Sequence, residues 1–228
     1  MLHPSASSPV ASRRPLLIAG TQPRSGQQQL AQILCAYAQQ HHASPAQCLT
    51  LTPPLNLAHL WPQVEALSQA ARPDYPSSPP LALHPEQPSR SATQTAMRTD
   101  PAVTPDWSLV VVDEGLGDVV ATETTVADLA WDWRLSVVLV VPVQPGCLGQ
   151  AIAHSALARQ SRCHLKGLVL ACPTADTWID RHIQADPHLF QQMTQLPVLG
   201  YLPPPTHTES PTAQCQAAAA LHLERLWF

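Results

Sequence analysis

Several stretches of this chain are apolar at almost every position, where a strand with one wet face would alternate. They are Pro15–Gly20, Trp107–Val112, Leu135–Val141, Gly167–Ala171 and Pro197–Leu202, with Cys48–Thr52 as a shorter, more polar companion. A strand covered on both faces has no polar side to show, so continuous apolar runs are the mark of a parallel sheet buried between helices. Stretches of helical period lie between them. Gln27–Gln40 places Leu30, Ile33, Leu34 and Tyr37 on one face, and Thr125–Trp133, Cys147–Arg162, Thr177–Gln195 and Thr212–Arg225 read as further helices. A short helix is expected near Val64–Ala71. This alternation predicts an α/β fold: a mostly parallel sheet with helices on both faces, a three-layer sandwich.

A chain of 228 residues fits one such domain, expected over 15–205. Residues 1–14 read as a disordered tail and 206–228 as a C-terminal tail or helix. Eleven prolines between Pro53 and Pro105 mark an irregular excursion, most pronounced over about 72–105. With a net charge of −4 and no basic cluster, the chain lacks the electrostatic footprint of a nucleic-acid binder. No apolar run approaches the ~20 residues of a membrane helix, and Met1–Arg14 lacks the apolar core of a secretory signal. The six cysteines include no Cys-x-x-Cys pair, which suits thiols in a reducing compartment. These points lead to the expectation of a cytoplasmic protein.

The first strand runs into Gly20, and Gly26 follows six positions later, just before a helix. Strand, glycine loop and helix form the frame of a phosphate loop, in which backbone N–H groups and a helix N-terminus cradle an anion. Gly20, Thr21, Arg24, Ser25, Gly26, Gln27 and Gln28 are therefore the candidate nucleotide-binding residues. The frame normally continues with lysine and then serine or threonine, and here those positions hold Gln27 and Gln28. Glutamine donates hydrogen bonds but carries no charge, and Gln28 offers a carbonyl oxygen where a hydroxyl would meet magnesium. Pro23 removes one loop N–H. Arg24 is the one cation inside the loop, and Lys166 is the only lysine in the chain. The same string also serves as an ordinary strand-to-helix turn without a ligand.

Asp113 and Glu114 end an apolar strand, the place where a carboxylate often positions magnesium. An exposed acid pair ahead of the turn Gly115-Leu116-Gly117 fits the same residues. Gly146-Cys147-Leu148-Gly149 opens a helix whose free N–H groups suit an anion. No histidine or aspartate pattern surrounds Cys147, so it reads as a small packing residue rather than a nucleophile. His41-His42 and Cys163-His164 with Cys172 match no common zinc spacing.

Taken in order, these strings resemble the dethiobiotin synthetase family of phosphate-loop NTPases. Gly20-Thr21 through Gly26 resembles that family's Gly-Thr-Asp-Thr-x-x-Gly-Lys-Thr, and Val112-Asp113-Glu114-Gly115-Leu116-Gly117 its Glu-Gly-x-Gly-Gly strand end. The segment Leu139–Gln150 is similar to its Val-Val-Gly-Val-Lys-Leu-Gly-Cys-Ile-Asn-His. Lys166-Gly167-Leu168-Val169 and Leu196–Gly200 are similar to its last two strands. The resemblance implies a nucleotide-binding fold, ATP and magnesium as cofactors, and a homodimer. It also implies a reaction that carboxylates diaminopelargonic acid and closes a ureido ring. It places the substrate near Thr21, Gly115, Gly146, Cys147, Leu148 and Gly149, and metal at Glu114, with Asp113 beside it as an extra acid. The family's lysine positions fall on Gln27, Thr52 and Gln144, its adenine-recognising asparagine near Ala171-Cys172, and a preferred glycine on Asp118.

Loss of several charges from one site predicts a dethiobiotin-synthetase-like protein that does not run ordinary ATP-dependent ligation. Two other readings stand beside it. One is an active but atypical enzyme, with Arg24 in place of lysine and Glu114 holding magnesium. The other is a non-catalytic binding or regulatory module.

Overall fold

The computed structural model describes residues 15–41, 46–70 and 107–227. Expectations for 1–14 and for the proline-rich stretch about 72–105 fall outside the described residues. In chain order the elements are β1 (Leu16–Gly20), α1 (Gln27–His41), β2 (Gln47–Leu51), α2 (Leu57–Ala70) and β3 (Ser108–Gly115). A small hairpin follows, β4 (Val119–Ala121) with β5 (Thr124–Thr125), then α3 (Val126–Asp132), β6 (Ser136–Pro142), α4 (Cys147–Gln160) and β7 (His164–Ala171). The chain continues through α5 (Ala175–Ile179), α6 (Arg181–Gln184), α7 (Pro187–Thr194), β8 (Val198–Leu202), α8 (Pro211–Ala219) and α9 (Glu224–Trp227).

Six strands form one sheet in the order β2-β3-β1-β6-β7-β8, and every pairing is parallel. The apolar runs supply both faces at once. Leu17 and Ala19 of β1, with Val137, Leu139 and Val141 of β6, face a core layer closed by α2, α3, α4 and α7. Leu16 and Ile18, with Val138 and Val140, face the opposite layer, closed by α1 and the C-terminal segment. A fully buried Leu, Ile or Val side chain contributes about 1.5–3 kcal/mol. The three-layer α/β sandwich is thus the observed architecture.

The structure differs from the sequence expectation in four places. The helix expected over 177–195 is split into α5, α6 and α7. Asp180 closes α5, Ala185 leaves the helical region (φ −145°, ψ 77°), and the Asp186 side chain accepts from His188 N at 3.0 Å to cap α7. Pro187 then occupies the first turn of α7, where its missing N–H costs nothing. The helix expected over 212–225 is broken as well: His222 donates its N–H to Leu199 O at 2.8 Å, and Leu221, Leu223 and Leu226 are buried against the sheet. Residues beyond 205 therefore complete one core layer. The helix expected near 64–71 begins earlier, at Leu57, and carries Pro62 within it. Finally, Thr125 stands outside α3 as its N-cap in a reciprocal capping box with Asp128.

Candidate functional site

Parallel strands bring their carboxyl ends to one edge, and that edge gathers most of the candidate residues. The loop after β1 is held down on both sides. Thr21 N donates to Val140 O of β6 at 3.0 Å, Arg24 N to Asp113 O of β3 at 3.2 Å, and Leu116 N to Gly20 O at 2.8 Å. Gly26 has φ 104°, a conformation that favours glycine. A Cβ there would also lie 3.2 Å from Leu202 and 3.4 Å from Ala171. Ser25 is buried and its hydroxyl donates to Gln22 O at 2.6 Å. Arg24, at the apex with φ 57°, is exposed.

Gln27, the first residue of α1, is 0% exposed. Its side chain turns back into the loop, where Nε2 donates to Gln22 O at 3.1 Å and Glu114 O at 3.3 Å. The amide lies so close over Gly20 that a Cβ on that residue would be 2.2 Å from Nε2. Oε1 of Gln27 is buried and has no hydrogen-bond partner among the described residues. Leaving a buried acceptor unpaired costs about 1–3 kcal/mol. Gln28, next on the helix, is half-buried.

Asp113 and Glu114 lie within β3 and are half-buried. Their backbone carbonyls are the atoms that meet the loop, at Arg24 N and Gln27 Nε2. Gly115 pairs with Gly20 across the sheet, and its N–H donates to Asp118 Oδ2 at 2.7 Å. A Cβ on Gly115 would come 3.4 Å from the Gln22 backbone. Asp118 thus braces the turn that follows Glu114.

The start of α4 adjoins the same loop. Gln144 Nε2 donates to Gln22 Oε1 at 3.0 Å, and Thr21 Oγ1 to Gln150 Oε1 at 3.4 Å. Gly146 takes φ 84° as N-cap and supplies no side-chain cap, while open space surrounds Gly146 and Gly149. Cys147 is buried in the core, and Leu148 packs partly against it. Thr52 is not joined to this group: it is exposed just past the end of β2, two strands away from β1. Ala171 and Cys172 are buried at the end of β7, and burial pushes the Cys172 thiol up to about 11.

Two of the three lysine positions read from the resemblance, 27 and 144, therefore hold glutamines bonded to one residue, Gln22. Sequence reasoning did not single out Gln22 or Gln150. The coincidence of glutamines at two such positions was the available signal, but a neutral amide belongs to no spacing motif that would name its partner.

The AAA domain family model (AAA_26) matches residues 14–212. The chain is 34% identical over 220 residues to the ATP-dependent dethiobiotin synthetase BioD of Crocosphaera subtropica, covering 93% of this chain and 99% of that protein. It is 48% identical over 104 residues to the BioD of Synechocystis sp., covering 46% and 44%. It is 44% identical over 112 residues to that of Gloeothece citriformis, covering 49% and 50%. The last two alignments thus span about half the length of those relatives. Among solved structures, a ParA family ATPase from Chlorobium tepidum is similar at TM-score 0.45 and 13% identity, covering 95% of this chain and 97% of that one. The MinD cell division protein of Aquifex aeolicus is similar at TM-score 0.48 and 10% identity, covering 92% of each. Agreement of the family model over most of the sequence with a relative matched along nearly its whole length places the chain in the dethiobiotin synthetase family.

Proposed function

We propose that this chain is a dethiobiotin-synthetase-like protein of the biotin-pathway family that does not carry out ordinary ATP-dependent carboxylation and ring closure of diaminopelargonic acid. The observation that carries this reading is the buried Gln27 amide inside the phosphate-loop frame, bonded to Gln22 O and Glu114 O. A transferred phosphoryl group needs fixed positive charge where negative charge develops, and removing such a stabiliser typically costs ~10²–10³ in rate. Neither Gln27 nor Gln144 supplies it. The set does not fit magnesium-ATP in the manner of an intact loop: Gln27 lies over Gly20, where the cradle would open, Pro23 brings no N–H, and Gln28 presents an amide in place of a hydroxyl. Asp113 and Glu114 stand at the end of β3 beside a loop whose one cation is Arg24, with no lysine to balance them.

One observation favours a second reading. The Arg24 guanidinium stands exposed at the loop apex, so an active but atypical synthetase would use it in place of lysine, with Glu114 and Asp113 holding magnesium. A product assay separates the two. Protein incubated with diaminopelargonic acid, bicarbonate, magnesium and ATP is expected to release neither dethiobiotin nor ADP. Formation of both, abolished by Arg24→Ala, would overturn the first reading in favour of the second. The homodimer implied by the resemblance stays part of the proposal and is checked by sedimentation equilibrium. Capture of diaminopelargonic acid without turnover, through the α4 start at Gly146–Gly149, would make the chain a binding module.

A further inference from the structure

Away from the phosphate-loop frame, two thiols come together between α1 and the edge strand β2. Cys35 lies on α1 about two turns past Gln27 and packs against the layer that contains Leu16, Ile18 and Leu109. Cys48 lies on β2 and pairs in register with Leu109, so it faces that same layer. The two thiols hydrogen-bond to each other, and the Thr50 side chain, on the same face of β2, bonds Cys48 as well. Both cysteines are free; Cys48 is exposed and Cys35 half-buried, whereas Cys147, Cys172 and Cys215 are buried.

We propose that Cys35 and Cys48 form an oxidisable dithiol that a low-molecular-weight disulfide such as glutathione disulfide converts to an internal disulfide. In the first step the Cys48 thiolate attacks one sulfur of the reagent. The reagent's S–S bond breaks, one thiolate leaves, and Cys48 carries a mixed disulfide. Cys35 then gives its proton to solvent and attacks the Cys48 sulfur, expelling the second reagent thiolate. The protein loses two electrons and two protons, and the reagent is reduced to two thiols.

Exposure assigns the order of attack: Cys48 is exposed and Cys35 half-buried. The bond from the Cys35 thiol lowers the Cys48 thiol below its ordinary range against the opposing effect of burial, with a smaller contribution from the Thr50 side chain. The same bond to Cys48, followed by burial, holds Cys35 above its ordinary range. The exposed thiol is the one an external disulfide meets first. The bond would tie α1, which begins at the phosphate-loop frame, to the strand that leads into Thr52.

The test is peptide mapping of the full-length chain after incubation with glutathione disulfide, without reduction. The expected result is a cross-linked Cys35–Cys48 peptide, lighter by two hydrogens and reversed by dithiothreitol, with a rise in Tm of the oxidised chain. Cys35→Ser should stop at glutathione on Cys48, and Cys48→Ser should yield neither product at these two positions. Circular dichroism is to check that both serine variants are folded, and the mapping of the native chain stands independently of them. Stable glutathione on Cys48 of the native chain without the cross-link, or a disulfide from Cys35 to another cysteine, would overturn the proposal.

Discussion

The Gln27 side-chain amide donates to the Gln22 carbonyl at 3.1 Å, so the first residue of α1 closes the loop that leads into it. Gln22 also accepts from Ser25 through its carbonyl and from Gln144 through its side chain. The loop is thereby held by neutral donors from its own apex, from α1 and from the β6–α4 turn. Gln27→Ala removes the bonds to Gln22 O and Glu114 O together with a fully buried side chain. We expect a loss of about 1–3 kcal/mol, read as a lower urea midpoint at unchanged m-value.

Gly20→Ala tests the closeness of that packing. The added methyl would lie 2.2 Å from Gln27 Nε2 and 2.4 Å from Gln22 O. The first contact can be relieved by a side chain, the second only by backbone movement. The substitution should cost about 1–3 kcal/mol, and its cost should shrink without vanishing in a Gln27→Ala background. A double-mutant cycle in urea checks this; strict additivity would mean that Gln27 does not lie over Gly20.

Gln27→Lys keeps donors directed at Gln22 O and Glu114 O, removes the unpaired Oε1 and adds the missing charge. Together with Gln28→Thr it should leave the fold intact and raise nucleotide affinity by roughly tenfold or more, since each 1.4 kcal/mol of new interaction is a factor of ten. Fluorescent-nucleotide titration of the double variant against the native chain measures the gain. No gain would show that Thr52 and Gln144 limit the site as well.

The hairpin–α3 junction carries a pH dependence of known sign. The side-chain and backbone hydrogen bonds from Thr125, at 2.6 and 3.0 Å, hold the Asp128 carboxyl below the ordinary aspartate range. Because the folded value is depressed, this contribution is present above the ordinary aspartate range and fades as pH falls through the depressed value. Thr125→Ala should cost about 1 kcal/mol near neutral pH. The difference from the native chain should narrow in acid, as urea titrations at the two ends of that range will show.

The buried strands were legible because a sheet covered on both faces leaves no polar alternation, and the runs at 16–20, 136–142 and 167–171 declare themselves. The loop frame was legible from two glycines at fixed spacing. What sequence left out depends on local or tertiary detail. The α5–α6–α7 break turns on the backbone at Ala185 and the cap at Asp186, which interrupt an otherwise helical pattern. The β4–β5 hairpin is too short to show a period. The Gln22 hub and the Cys35–Cys48 contact arise only when the chain folds, because partners from separate elements carry no shared spacing.

On the proposed reading, the neutral side chains of Gln27 and Gln144 stand where fixed charge would hold a nucleotide. Isothermal titration of the native chain with magnesium-ATP tests it most directly. No saturable heat is expected at millimolar nucleotide. A saturable isotherm that Arg24→Ala abolishes would contradict it.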